Sequence, residues 1–118
     1  MWLAYQSDQL LPEVLDLIST SKDDIYFSAV NLWEITIKKS LGRSDFIVNP
    51  TLIYEGLLEN GYLELPICSK HGLEVSQLPD IHKDPFDRML IAQARCEDLI
   101  LMTADHLIFQ YPVKLYKI

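Results

Sequence analysis

The sequence predicts an α/β protein with a mostly parallel sheet. Segments with helix-type spacing alternate with short β-prone segments, and no internal repeat or linker rich in Pro, Gly or Ser divides them. Residues 99–103 are nearly all apolar, which is typical of a strand that is buried on both faces of a parallel sheet. Because 118 residues is an ordinary length for one core, we expect a single domain over residues 1–118.

The composition is that of a globular chain, with 49% hydrophobic and 23% charged residues. Because no apolar run reaches the roughly 18 residues of a membrane span, we expect a soluble protein without a membrane partner. The first residues do not resemble a secretory signal, and Cys68 and Cys96 do not form a CxxC pair. These observations predict a cytoplasmic protein in which both cysteines serve as small buried hydrophobic residues.

The charge balance narrows the class of partner. With 10 basic and 17 acidic residues the formal net charge is −7, which excludes a protein that holds nucleic acid through a broad basic surface. A nucleic acid can still be a substrate if its contacts are local or involve metal ions. A basic protein partner suits this surface better than bulk DNA.

In the first half of the chain, residue spacing and breaker residues locate each element. The pattern predicts helix 7–19, strand 25–29, helix 30–41, helix 51–59 and strand 62–67. Helix 30–41 carries a stripe of Val30, Trp33, Ile37 and Leu41, which we expect to face the core, and Gly42 should end it. Strand 62–67 contains Pro66, which lacks a backbone N–H, so this strand belongs at an edge of the sheet or ends there.

The second half continues the alternation. The pattern predicts helix 70–77, a loop over 78–83, helix 84–97, strand 99–103, a turn or short helix over 105–109 and strand 113–116. The clearest signal is the start of helix 84–97, where Asp84 is placed to cap the helix, Pro85 to occupy its first position and Asp87 to lie in the first turn. We expect Phe86 to pack in the core.

Three acidic residues follow or lie near predicted strand ends. Ligands of open α/β sheets bind beyond the carboxyl ends of the strands. Asp105 follows strand 99–103, Glu34 lies about one turn into the helix after strand 25–29, and Asp87 lies at the start of helix 84–97. If these carboxylates converge, they suit Mg²⁺ or Mn²⁺, and two such ions about 4 Å apart can activate water for phosphodiester hydrolysis.

Each acid also has a purely structural interpretation. Glu34 can pair with Lys38 at i,i+4 on an exposed helix face. Asp87 can simply complement the helix amino terminus, and Asp84 and Asp105 can serve as caps of the elements that follow them. From composition and spacing alone, these alternatives stay open.

Other polar residues carry weaker signals. The basic residues Lys38, Lys39 and Arg43 can face a phosphate, but a solvated helix face explains them better. The three histidines share no metal-ligand spacing, so we expect each to lie on the surface or in a loop: His71, His82 and His106.

Three segments together resemble a known family. They are 26–38 (YFSAVNLWEITIK), 82–94 (HKDPFDRMLIAQA) and 101–105 (LMTAD). In this order and spacing they closely resemble the PIN-domain ribonucleases, specifically the VapC-like toxins of bacterial type II toxin–antitoxin pairs. The resemblance covers nearly the whole chain and implies a three-layer α/β/α fold and a Mg²⁺- or Mn²⁺-dependent endoribonuclease. It also implies a homodimer and an antitoxin partner that covers the active-site groove.

The same resemblance assigns roles to single residues. It implies that Glu34, Asp87 and Asp105 are the catalytic, metal-binding acids and that metal-activated water attacks the RNA phosphate without a covalent nucleophile. It places Ser28 and Thr103 close by in supporting roles. Asp84 would hold the start of its helix.

The amino terminus departs from the family pattern. The family opens with a buried central strand that ends in an Asp, whereas this chain begins at residues 1–3 (MWL), where we expect that strand to have passed already. Neither Asp8 nor Asp16 can replace the acid, because both come after its position. We therefore expect a chain that is short at its amino terminus, through a misassigned start or a truncation, with a vacancy at the centre of the sheet.

This departure leaves rival functions to the ribonuclease. The first is a catalytically inactive PIN domain that only binds an antitoxin or dimerises. A signalling receiver-like α/β domain is a third class, but the sequence lacks its pattern of an Asp at a strand end and a Lys after a later strand.

Overall fold

A computed structural model of the chain describes residues 2–4, 24–41, 49–81, 83–103 and 107–117. Its strands are β1 (Trp2–Ala4), β2 (Ile25–Ser28), β3 (Leu63–Leu65), β4 (Ile100–Thr103) and β5 (Leu115–Lys117). Its helices are α1 (Ala29–Ser40), α2 (Pro50–Glu59), α3 (Ser69–Val75) and α4 (Pro85–Cys96), and a 3₁₀ turn spans Ile108–Gln110. The predicted helix 7–19 lies outside the described residues, as does the predicted stop at Gly42.

The strands form one sheet in the order β3-β2-β1-β4-β5, and every neighbouring pair is parallel. This arrangement confirms the predicted α/β class. Strand β4 lies between two neighbours and is buried from Leu101 to Thr103, as its apolar sequence predicted. Strand β3 lies at an edge and ends directly before Pro66, also as predicted.

The expected vacancy at the centre of the sheet is wrong. Strand β1 lies at the centre, where Leu3 is opposite both Tyr26 of β2 and Leu101 of β4. Leu3 is fully buried. A stretch of three residues, Trp2–Ala4, therefore gives the backbones of β2 and β4 the hydrogen-bonding partner that the sequence interpretation had considered missing.

Helices cover both faces of the sheet. On one face, Tyr26 and Leu101 belong to the larger core cluster, which includes Leu90 and Ile91 of α4. On the other face, Phe27 packs with residues of α2 and its carboxyl-terminal turn, Leu57 and Tyr62. Adjacent residues of β2 thus contact different helices, because side chains of a strand alternate between its faces. The predicted three layers are present.

Local sequence explains where the helices begin and end. Ser28 ends β2 and caps α1, because its side chain accepts a hydrogen bond from the Val30 N–H at 3.0 Å while its own N–H donates to Asn31 Oδ1 at 2.7 Å. Asn49 caps α2 ahead of Pro50. Gly61, with φ of 84°, lies in the turn after α2. Among the described residues, no helix is long and apolar enough to cross a bilayer.

The predicted stripe of α1 is wrong in part. The buried side of the helix carries Val30, Asn31 and Ile35, whereas Trp33 is 56% exposed and Leu41 is 67% exposed. Trp33 and Ile35 are two positions apart, which places them on roughly opposite sides of a helix with about 3.6 residues per turn. The spacing predicted the helix correctly, and its orientation against the sheet was decided by the packing of Ile35.

Candidate metal and catalytic site

The carboxyl ends of β2 and β4 lie level with each other on the two sides of β1. Ile25, Trp2 and Ile100 are in register across the three strands, so Ser28 and Thr103, which end β2 and β4, are in register as well. With neighbouring strands about 4.8 Å apart, the backbones of these two residues are about 10 Å apart. Both are fully buried. These positions are where the family resemblance expects supporting residues of the site.

Helix α4 presents Asp87 in its first turn. Asp84 Oδ1 accepts hydrogen bonds from the N–H groups of Phe86 at 2.8 Å and Asp87 at 3.3 Å, which confirms Asp84 as the helix cap. Asp87 is only 5% exposed, so its carboxylate is buried near the positive end of the helix dipole. The electrostatic interpretation of Asp87 and the metal-binding one are therefore compatible.

An aromatic contact joins the helices that carry Glu34 and Asp87. The rings of Trp33 and Phe86 meet edge to face, with centroids 5.0 Å apart and an interplanar angle of 80°. Glu34 directly follows Trp33 and Asp87 directly follows Phe86, so the contact brings the two acid-bearing segments together. Phe86 is half-buried and packs against the larger core, in line with its prediction.

Glu34 also has the partner that the structural alternative predicted. Its Oε2 lies 3.5 Å from Lys38 Nζ one turn further along α1. The Glu34 side chain is 15% exposed, so the carboxylate is well shielded from solvent. Lys38 is the more exposed partner, at 38%, and an i,i+4 pair on a helix contributes only about 0.3–0.5 kcal/mol to stability.

The chemistry of the donor set fits Mg²⁺ or Mn²⁺, since carboxylate oxygens are the ligands that both ions prefer. Within the described ranges, no three acidic, histidine or cysteine side chains are grouped closely enough to hold a metal ion. Asp105 lies outside the described residues, two positions after Thr103 at the end of β4. The three-acid site therefore stays a prediction.

One buried polar residue was missed by sequence reasoning. Gln93 of α4 is fully buried, and its Oε1 accepts a hydrogen bond from Ser28 Oγ at 2.5 Å. Its Nε2 donates to the carbonyl oxygen of Pro66, just after β3, at 3.3 Å. A glutamine inside an otherwise apolar helix segment (MLIAQA) was the available signal, because a buried amide needs hydrogen-bonding partners.

His71 continues this buried network, and the prediction that it lies on the surface or in a loop is wrong. It belongs to α3 and is fully buried, and both of its ring nitrogens have the partners that a buried polar group requires. Nδ1 accepts from the Cys68 N–H at 3.0 Å and lies 3.5 Å from Gln93 Nε2. Nε2 therefore carries the proton and donates to Glu97 Oε1 at 2.9 Å. His82 and His106 lie outside the described residues.

The two cysteines differ from their prediction. Cys68, which directly precedes α3, is exposed, and Cys96 is only half-buried. Burial raises the pKa of the Cys96 thiol. Near it, hydrogen bonds from Lys70 and His71 hold the pKa of the Glu97 carboxyl below its ordinary value. These groups lie at the carboxyl end of α4, away from Asp87.

Comparison with solved structures shows the same fold in two VapBC structures and in FitAcB. VapBC2 from Rickettsia felis, bound to a DNA fragment from its promoter, matches with a TM-score of 0.75 at 11% identity, over 100% of this chain and 99% of that chain. DNA-bound VapBC from Salmonella typhimurium matches with a TM-score of 0.68 at 11% identity, over 99% and 98% of the two chains. FitAcB from Neisseria gonorrhoeae matches with a TM-score of 0.65 at 19% identity, over 99% and 97%.

Sequence comparison identifies the family. No curated protein sequence matches the chain. The family model of the PIN domain, however, matches residues 1–114, which is nearly the entire chain. The three segments quoted above lie within the matched range. The chain therefore belongs to the PIN domain family.

Proposed function

We propose that the protein is a metal-dependent endoribonuclease toxin of a toxin–antitoxin pair. The observation that carries the proposal is the almost complete burial of Asp87 at the amino end of α4 in a PIN domain. A buried carboxylate must be hydrogen-bonded, paired with a cation or bound to a metal ion. Asp87, Glu34 and Asp105 would hold Mg²⁺ or Mn²⁺, which supplies the Lewis acidity and the activated water for phosphodiester hydrolysis.

The chain's own residues would prepare this site. Asp84 holds the first turn of α4 and so fixes where the Asp87 carboxylate lies. The contact between Trp33 and Phe86 keeps α1 beside α4 and thereby limits the separation of Glu34 and Asp87. Lys38 neutralises Glu34 in the absence of a metal ion. Their joint effect is to hold carboxylates together against their mutual repulsion.

The partner would be an antitoxin with a basic inhibitory segment. The matched complexes from Rickettsia felis and Salmonella typhimurium are VapBC assemblies, and this chain has a net charge of −7. Arginine suits an acidic groove because its guanidinium pairs with a carboxylate through two hydrogen bonds. We further propose that the single domain forms a homodimer and acts in the cytoplasm.

Metal binding and RNA cleavage by purified variants test the proposal. We expect Mn²⁺ to bind in calorimetry. We expect Asp87→Asn and Asp105→Asn each to lower the Mn²⁺ affinity by more than the roughly 10–100-fold loss that is typical of supporting residues, since each removes a ligand charge. Both variants should also lose RNA cleavage. Glu55→Gln, a charge change on the exposed side of α2, serves as the control and should behave as wild type. Full cleavage by either Asp variant would contradict the assignment.

A second candidate is an inactive PIN domain that only binds its antitoxin or dimerises. It is favoured by the residues after β1, which read Tyr5-Gln6-Ser7 and supply no acid where the family pattern has an Asp. Antitoxin binding with neither Mn²⁺ heat nor RNA cleavage would support this candidate.

A further inference from the structure

A chain of buried hydrogen bonds connects the two helices that carry the candidate metal ligands. Ser28, the cap of α1, donates its hydroxyl hydrogen to Gln93 Oε1 of α4 at 2.5 Å. The same hydroxyl oxygen accepts the Val30 N–H at 3.0 Å. Both Ser28 and Gln93 are fully buried. The contact spans 65 positions in sequence and joins the amino end of α1 directly to α4.

Gln93 determines which way the Ser28 hydroxyl points. A serine hydroxyl has one hydrogen and two lone pairs, and it rotates to suit its partners. Because Gln93 Oε1 takes the hydrogen, the lone pairs remain directed at the helix N–H groups. Without that acceptor, the hydroxyl would be free to turn its hydrogen toward Val30, which would weaken the cap.

The partners of the Gln93 Nε2 group fix the orientation of the side-chain amide. Its Nε2 donates to Pro66 at 3.3 Å, so its Oε1 must face Ser28. His71 Nδ1, which accepts from the Cys68 N–H at 3.0 Å, lies 3.5 Å from the same Nε2 and favours the same orientation. A fully buried polar residue with partners on both sides defines one arrangement of the elements around it.

We propose that Gln93 is a positioning residue of the metal site, which acts through Ser28 to align the amino end of α1, with Glu34, against α4, with Asp87. This proposal rests on the proposed function, because it assumes that Glu34 and Asp87 share metal ions. Gln93 touches neither carboxylate in this role. Its effect is to keep the two ligand-bearing helices in one relative position, which metal binding requires to be accurate.

A double-mutant cycle tests the proposal. The proteins are wild type, Ser28→Ala, Gln93→Met and the double variant, and the measurement is the Mn²⁺ dissociation constant per folded molecule, with the folded fraction taken from urea unfolding. Loss of a supporting hydrogen bond around a metal site typically weakens binding 10–100-fold. We expect that loss in each single variant, and no further loss in the double variant, because both substitutions remove the same hydrogen bond.

Two controls separate positioning from simple loss of stability. Ser28→Thr keeps the hydroxyl and should weaken Mn²⁺ binding less than Ser28→Ala does. Ile91→Val removes one methyl group from the fully buried core side of α4 and should lower stability without changing the affinity. Wild-type affinity in Gln93→Met, or additive losses in the double variant, would overturn the proposal.

A readout without metal keeps this inference distinct from the proposed function. Amide hydrogen exchange at Val30 and Asn31 reports how firmly the amino end of α1 is held. If the wild type binds no Mn²⁺, the proposed function fails. Even then, non-additive changes in the hydrogen-exchange rates across the four proteins of the mutant cycle would establish that Gln93 aligns α1. Unchanged exchange in Gln93→Met would overturn that alignment as well.

Discussion

The acidic residues at the two ends of α4 differ in burial and in the groups that they bind. At the amino end, Asp84 binds backbone N–H groups of its own helix and Asp87 is almost fully buried. At the carboxyl end, the acids form ion pairs that are at least partly exposed to solvent. Glu97 Oε1 lies 2.7 Å from Lys70 Nζ, and Asp98 Oδ1 lies 2.7 Å from Nζ of Lys114, which directly precedes β5.

This difference indicates which end can support a site. A carboxylate that is buried or that accepts hydrogen bonds from backbone N–H groups is held in place by the fold. An exposed ion pair joins two flexible side chains and contributes little to stability. The side chains of Asp98 and Lys114 are 79% and 65% exposed, so their short distance does not indicate a strong interaction. A metal site requires carboxylates that are held in one position by the fold.

The largest expected effect on stability is at the amino end. Asp84→Ala removes the acceptor for two N–H groups and should lower the free energy of unfolding by about 1 kcal/mol, as measured by urea denaturation. Asp84→Asn, which keeps a capping oxygen, is the matched control and should lose much less. Loss of Mn²⁺ binding at unchanged stability would show that Asp84 is a ligand rather than a cap.

A smaller effect of opposite sign is expected at the carboxyl end. Asp98 has φ of 54°, in the left-handed region that favours glycine. Asp98→Gly should therefore raise the free energy of unfolding slightly, since it relieves the left-handed backbone and the ion pair that it removes is mostly exposed. Thermal unfolding measures the change. Lys114→Met isolates the ion pair and should be nearly neutral; a stability loss in both variants would mean that the pair matters more than the backbone.

The smallest effect concerns pH. Lys70 and His71 lower the pKa of Glu97 in the folded protein below the ordinary value of 4.5. The stability that the ionised Glu97 carboxylate contributes is therefore fully present above pH 4.5. It is lost as the pH falls through the lowered pKa of the folded protein. Glu97→Gln should cost at most about 0.5 kcal/mol near neutral pH and should flatten the decline of stability below pH 4.5. Parallel acid-unfolding curves of the two proteins would refute this.

Local sequence determined most of the elements of this protein. Asp84 and Pro85 define the start of α4, Pro66 marks the end of an edge strand, and the apolar run 99–103 predicts a central parallel strand. These signals are readable because capping, the missing N–H of proline and burial on both faces each act within a few residues. Local position also predicted two candidate acids, Glu34 about one turn into the helix after a strand and Asp87 in the first turn of its helix.

Only the tertiary structure decided where these elements lie and which of their side chains are buried or hydrogen-bonded. It placed Trp2–Ala4 at the centre of the sheet, left Trp33 more than half exposed and buried His71. It also joined Gln93 to Ser28 across 65 positions. None of these outcomes follows from local pattern, because each depends on which partner, distant in sequence, supplies the missing hydrogen bond or contact surface, and that partner is fixed only when the sheet and the helices pack together.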